Sequence, residues 1–204
     1  MYDRILVPLD GAQFSEEILP HVAGLASVHA TALTLLRVVD KESERREAEA
    51  YIKVLAEQVS ARGVCVVARG DVADTILEEA RRVPDTLVAM TSHGRSGLME
   101  AMLGSVALRV MRSGGAAVLV YRPSGAGAKV DAPVKVNSIV LPLDGTRASE
   151  TMASQAAELA KWLGAELVVV GVIDPSARVD SSIPMGDVAE SSYVRSRASE
   201  YAAK

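Results

Sequence analysis

Thr91-Ser92-His93-Gly94-Arg95-Ser96-Gly97, with Gly104-Ser105 following after a short gap, gathers glycines, hydroxyls and a cation between two apolar stretches. Residues of these types at this spacing suit an anion. Glycine lets backbone N–H groups come close to a ligand, and the first turn of a helix carries unpaired donors and a partial positive charge. Upstream, Leu87-Val88-Ala89-Met90 reads as a buried strand, and downstream Val106 to Met111 has helical spacing. A phosphate is therefore expected where that strand gives way to that helix. Asp10 closes another apolar run, Ile5-Leu6-Val7-Pro8-Leu9, and so adds a carboxylate at a second strand end.

The elements that must position these groups alternate strand and helix. Strands are expected at 4–9, 33–39, 64–68, 86–91 and 116–121. Helices are expected from Ser15 to about His29, Glu42 to Arg62, Asp71 or Val72 to Arg82, and from Ser105 onward, with Pro20 sitting awkwardly inside the first. This order implies a parallel sheet wound with right-handed crossovers, helices on both faces, and ligands at the carboxyl ends of strands where the winding reverses. The composition agrees: 49% hydrophobic residues but only 3% aromatic leave Val, Leu, Ile, Ala and Met to build the interior.

After Pro123-Ser124-Gly125-Ala126-Gly127-Ala128-Lys129, a linker by composition, the chain repeats itself. Ile139-Val140-Leu141-Pro142-Leu143-Asp144-Gly145 copies Ile5 to Gly11, Ser149-Glu150 matches Ser15-Glu16, and Val172-Ile173-Asp174 matches Val38-Val39-Asp40. The register holds without a gap, and about a third of the positions from 5 to 40 are identical. The second copy carries no fourth strand and no glycine loop; after Asp174 only a polar stretch and a helix from about Asp187 to Lys204 are expected. The organisation expected is a domain over 1–124, a linker over 125–136 and an incomplete second domain over 137–204. The inner edge of the strand at 138–143 then lacks a partner, which invites packing on the first domain or on another chain.

Val7-Pro8-Leu9-Asp10-Gly11 with Ser15-Glu16, Gly70-Asp71 before a helix, Ser92 to Leu98, nine residues between Gly94 and Gly104-Ser105, and Ala117-Val118-Leu119-Val120 together resemble the universal stress protein family. The resemblance covers residues 1–123 and recurs in the front half of the second copy, as in tandem members. It implies a Rossmann-like, doubly wound five-stranded sheet of order 3-2-1-4-5, a homodimer, and an ATP or AMP ligand in those members that carry G-x-x-G-x9-G-[ST]. Here Gly94, Gly104 and Ser105 fit that motif, while Thr91 replaces its first glycine. Carried over by position, Asp10 would lie near the ribose or a metal-bound water, Val39 would meet the adenine edge through its backbone, and Gly94, Arg95, Gly104, Ser105 and Val106 would surround the phosphates. Thr91 would set a branched side chain, or a donating hydroxyl, beside them. Arg95 could pair with a terminal phosphate, and Asp10, which repels phosphate, should face hydroxyls or Mg²⁺.

Several function classes find no footing. A net charge of -4 and a pI near 5.5 offer no cationic surface for nucleic acid or an anionic membrane. No apolar run approaches the length of a membrane span and no signal peptide precedes Ile5-Leu6-Val7, so a cytoplasmic protein is expected. Cys65, the only cysteine, sits in Val64-Cys65-Val66-Val67 and is expected to be buried and inert. His93 has no nucleophile or second histidine at a motif-like spacing, and Met99 and Met102 are expected as apolar anchors. His21 and His29 are expected to be partly exposed, and Trp162 to pack at a helix end or interface. The expected role is a stress-response regulator that binds ATP or AMP and acts on an unidentified protein partner. The alternatives are a nucleotide-independent dimeric interaction module, or an enzyme limited to slow ATP hydrolysis.

Overall fold

The computed structural model describes residues 1–92, 103–124 and 133–171. The contacts divide the chain into two units, Tyr2–Lys135 and the part beginning at Val136.

The first unit is a five-stranded parallel sheet of order β3-β2-β1-β4-β5. Its strands are β1 (Arg4–Leu9), β2 (Ala32–Val39), β3 (Arg62–Val67), β4 (Thr86–Thr91) and β5 (Ala117–Tyr121). The apolar runs became the central strands because both their faces are covered: Ile5, Leu6, Val7, Leu35, Leu36 and Val88 are fully buried. Removing each such side chain from water stabilises the fold by about 1.5–3 kcal/mol. Helices α1 (Gln13–Glu16), α2 (Leu19–His29), α3 (Arg45–Gln58), α4 (Val72–Arg81) and α5 (Ser105–Arg112) supply the cover. One core layer sets Leu6, Leu36, Val88 and Met90 of the sheet against Ala73, Ile76, Leu77 and Ala80 of α4 and Ala107 and Val110 of α5.

Three local expectations are corrected. The helix expected from Ser15 to His29 is two helices, because Pro20 has no N–H to donate and fits only a first turn, here that of α2. Ser15 lies inside α1, where its Oγ donates to the carbonyl of Ala12 at 2.7 Å. The long helix expected from Glu42 is shorter, a 3-10 turn at Glu42–Glu44 followed by α3, and β3 opens at Arg62. Cys65 is half-buried instead of buried, since β3 is an edge strand and α3 covers it incompletely. Burial still pushes its thiol pKa up, which keeps it protonated at neutral pH.

Below the sheet, at the amino ends of the strands, buried Arg4 is held by Thr86 Oγ1 at 3.2 Å, the Ala80 carbonyl at 3.2 Å, the Glu79 carbonyl at 2.6 Å and the Glu79 carboxylate at 3.5 Å. That network ties β1, β4 and the end of α4 together on the side away from the carboxyl ends. After β5 the chain is pinned at Ser124, whose N–H and Oγ donate to the buried Glu17 carboxylate at 2.7 and 3.1 Å. It is pinned again at Val134, whose N–H donates to the Pro20 carbonyl at 2.9 Å. Gly24 makes this second contact possible, since a Cβ there would lie 1.9 Å from the Val134 carbonyl oxygen.

The second unit, by itself, is β6 (Ser138–Leu143) and β7 (Glu166–Gly171), paired in parallel, with α6 (Arg147–Leu163) between them in sequence. Burial alternates along both strands, so one face is covered while Val140, Val168 and Val170 on the other are exposed. The match of Val172-Ile173-Asp174 and the helix expected from Asp187 lie outside the described residues.

Candidate functional site

Right-handed crossovers on opposite sides of β1 make β1 and β4 feed helices on opposite faces, which leaves a crevice above their carboxyl ends. A cavity of about 310 Å³ occupies it, lined among others by Asp10, Ser15, Arg37, Thr91, Ser92, Gly104, Ser105 and Val106. A second, of about 530 Å³, adjoins it through shared Asp10, Arg37 and Val106, and extends past Val39 to Asp40, Glu44, Glu47 and Tyr51. Of the residues singled out in the sequence, Asp10, Thr91, Gly104, Ser105 and Val106 line the inner cavity and Val39 the outer one. Gly94 and Arg95, with His93, Met99 and Met102, lie outside the described residues.

The geometry of the inner cavity follows from how the chain leaves β4 and re-enters α5. Ser92 N–H donates to the Tyr121 carbonyl at 2.7 Å, and Gly104 N–H donates to the Ser92 carbonyl at 2.8 Å, so strand end and helix start are stitched together. Gly104 is the N-cap of α5 and has no side chain to accept from the first turn. The N–H groups of Ser105 and Val106 have no preceding turn to bond to, and with the α5 dipole they present positive potential to the cavity. A Cβ at Gly104 would stand 3.4 Å from the Ser92 carbonyl, ordinary contact, so an added methyl fits there but larger branches would crowd the mouth. Thr91 is buried at the end of β4, beside Tyr121 in the register.

Opposite them the Asp10-Gly11 turn closes β1. Asp10 Oδ1 accepts from the Ala12 N–H at 2.9 Å, and Gly11 takes a positive φ of 84°, the conformation glycine adopts without strain. Sequence reasoning missed Arg37. Its Nη1 donates to the carbonyls of Val38 at 2.9 Å and Leu9 at 3.4 Å, which folds the guanidinium over the carboxyl ends of β1 and β2, against Gly11. An arginine within Leu33-Thr34-Leu35-Leu36-Arg37-Val38-Val39 reads as an outward side chain. The signal that could have singled it out is the repeat, in which the matching residue is Gly171.

Tyr51, also missed, stands on α3 at the outer cavity and donates its hydroxyl to Glu16 Oε1 at 2.9 Å. Burial, then the hydrogen bond to Glu16, hold its phenol pKa far above the ordinary value, so it remains a neutral donor. Among the described residues no group of three or more His, Cys, Asp or Glu side chains is arranged to hold a metal ion. No described helix is long and apolar enough to cross a membrane.

Comparison with known proteins places this geometry. The model of the universal stress protein family matches residues 1–122 and again residues 135–204. A universal stress protein of Methanocaldococcus jannaschii is 27% identical over 141 residues, covering 60% of this chain and 83% of its own. Among solved structures, hypothetical protein MJ0577 superposes with a TM-score of 0.54 at 26% identity, over 62% of this chain and 99% of that one. A putative universal stress protein from Pseudomonas aeruginosa aligns over 98% of this chain and 68% of its own, with a TM-score of 0.61; at 18% identity the likeness is one of fold.

Proposed function

This chain belongs to the universal stress protein family, and we propose that it is a regulatory member that binds one adenine nucleotide, ATP or AMP, in its first unit. The observation that carries the reading is the open crevice in which Asp10, Thr91, Gly104, Ser105 and Val106 converge on uncapped helix-start donors. The phosphates lie against the N–H groups of Ser105 and Val106 and the Ser105 hydroxyl, and the motif match adds Gly94 and Arg95 to their ligands. The ribose hydroxyls face Asp10, and a Mg²⁺ ion on the phosphates would take water or carboxylate oxygen there. The adenine edge meets the Val39 backbone in the outer cavity, whose carboxylates suit the donating amino group of the base. Thr91 lines the crevice without filling it, which favours a nucleotide site over a solid interaction module.

No nucleophile–base pair lines the inner cavity among the described residues, so the nucleotide is a signal more than a substrate. In that role, occupancy stabilises the folded first unit, and with it a surface for a second copy or another protein in the cytoplasm. Isothermal titration of the full chain with ATP and with AMP tests the reading. One site per chain is expected, and no heat at millimolar ligand would reject it.

A further inference from the structure

We infer that Arg37 is a specificity-determining residue that contacts the ligand's innermost phosphate, a second positive pole facing the start of α5. The inference deepens the nucleotide reading above and rests on it.

Among the described residues, Arg37 is the cation that lines both cavities. Its anchors are neutral: one guanidinium nitrogen is held by the carbonyls of Val38 and Leu9. Among the described residues no hydrogen bond reaches Nε or Nη2, and no carboxylate lies within ion-pair distance. Two backbone carbonyls therefore fix the fork in place while leaving its charge unneutralised and three of its five N–H donors available. The guanidinium lies beneath the turn that carries Asp10, with Nη2 3.6 Å from where a Gly11 Cβ would stand. Asp10 alone would make the inner cavity repel an anion. A fixed guanidinium lining the same cavity offsets that repulsion on the Asp10-Gly11 side.

The repeat supplies an independent observation. Leu9 pairs with Arg37 in the β1–β2 register, and Leu143 pairs with Gly171 in the β6–β7 register, so the two positions are structurally equivalent. The copy without the glycine loop also lacks the arginine. A residue needed merely to close strand ends would be wanted in both copies, since both carry the same Asp-Gly turn at the same place.

The test is the ratio of AMP affinity to adenosine affinity, measured by isothermal titration on the full chain, because a merely structural role would move both ligands together. Arg37→Gln is expected to lower AMP and ATP affinity about tenfold while leaving adenosine within about twofold, the size of one lost charge-assisted contact. Arg37→Lys keeps the charge on a flexible stem and is expected to hold the ratio within about threefold of the unsubstituted chain. It also serves if the glutamine variant melts before it can be titrated. An unchanged ratio in Arg37→Gln, or a ratio that collapses in Arg37→Lys as far as in Arg37→Gln, would overturn the assignment of Arg37 alone. Failure of the unsubstituted chain to bind AMP and ATP would instead overturn the nucleotide reading beneath it, and this one with it.

Discussion

The turn after β1 and the turn after β6 are the same piece of chemistry in two settings. Asp10 Oδ1 accepts from the N–H of Ala12 at 2.9 Å, and Asp144 Oδ1 accepts from the N–H of Thr146 at 2.9 Å. Gly11 and Gly145 share a positive φ, of 84° and 80°. Ser15 and Ser149 both turn back to a carbonyl three residues earlier. The two turns share these local bonds and differ locally where Thr146 replaces Ala12, but the larger difference lies in what surrounds the turn. Around Asp10 stand β4, α5 and Arg37, and the strand behind it is buried at every position but the half-buried Pro8. Around Asp144 stand Thr146 and Ser149, whose hydrogen bonds hold its carboxyl at about 2, and Val140 behind it is 60% exposed. A short sequence thus specifies a turn, whereas a crevice requires the strand and helix that arrive some eighty residues later in the chain.

Substitutions at matched positions sharpen or break that comparison. The largest effect is expected where the first copy buries a charge and the second has a serine. Arg4→Ala removes a buried guanidinium with four hydrogen bonds and leaves the buried Glu79 carboxylate facing only the exposed Arg82, which should cost about 3–5 kcal/mol, whereas Ser138→Ala should stay within about 0.5, both read from urea melts. Next comes the strand itself: Leu6→Ala should cost about 2–5 kcal/mol and its counterpart Val140→Ala well under 1, because only the first leaves a cavity. Equal losses at either pair would mean that the second unit is enclosed as fully as the first.

Position 24 has an intermediate effect. Gly24→Ala drives a Cβ into the Val134 carbonyl and should cost about 1–3 kcal/mol, with faster proteolysis near residue 134 as the direct readout. Its match in the repeat is Glu158, which already carries a long side chain on α6. The smallest effects concern caps and protons. Thr146 caps α6 through its hydroxyl while Ala12 offers α1 nothing, so Thr146→Ala should destabilise the second unit by about 1 kcal/mol. The Asp144 carboxylate has a folded pKa below its unfolded value. Its stabilising contribution is therefore complete above about pH 4 and lost as the pH falls through about 2; Asp144→Asn should flatten an acid titration of the second unit over that window.

The legible parts of the fold were those set by hydrophobic runs. Ile5–Leu9, Leu33–Val39 and Leu87–Met90 announce buried parallel strands, and their alternation with helices announces a doubly wound sheet, while the order 3-2-1-4-5, which is the one observed, was implied by the family resemblance alone. The repeat and the glycine pattern likewise pointed to the crevice and to Asp10, Gly104 and Ser105. What stayed hidden depends on long-range neighbours. Whether Pro20 bends one helix or begins another is decided by how α1 and α2 pack, and the half-exposure of Cys65 by β3 standing at an edge. Arg37 was invisible for the same reason: its reach back over Leu9 exists only once β2 lies beside β1.

The central claim is that the first copy alone holds a nucleotide, and native mass spectrometry of the full chain incubated with ATP tests it most directly. The account predicts one nucleotide per chain for the unsubstituted protein and for Asp144→Ala, and none for Gly104→Val. Two nucleotides per chain, or one that survives in Gly104→Val, would contradict it.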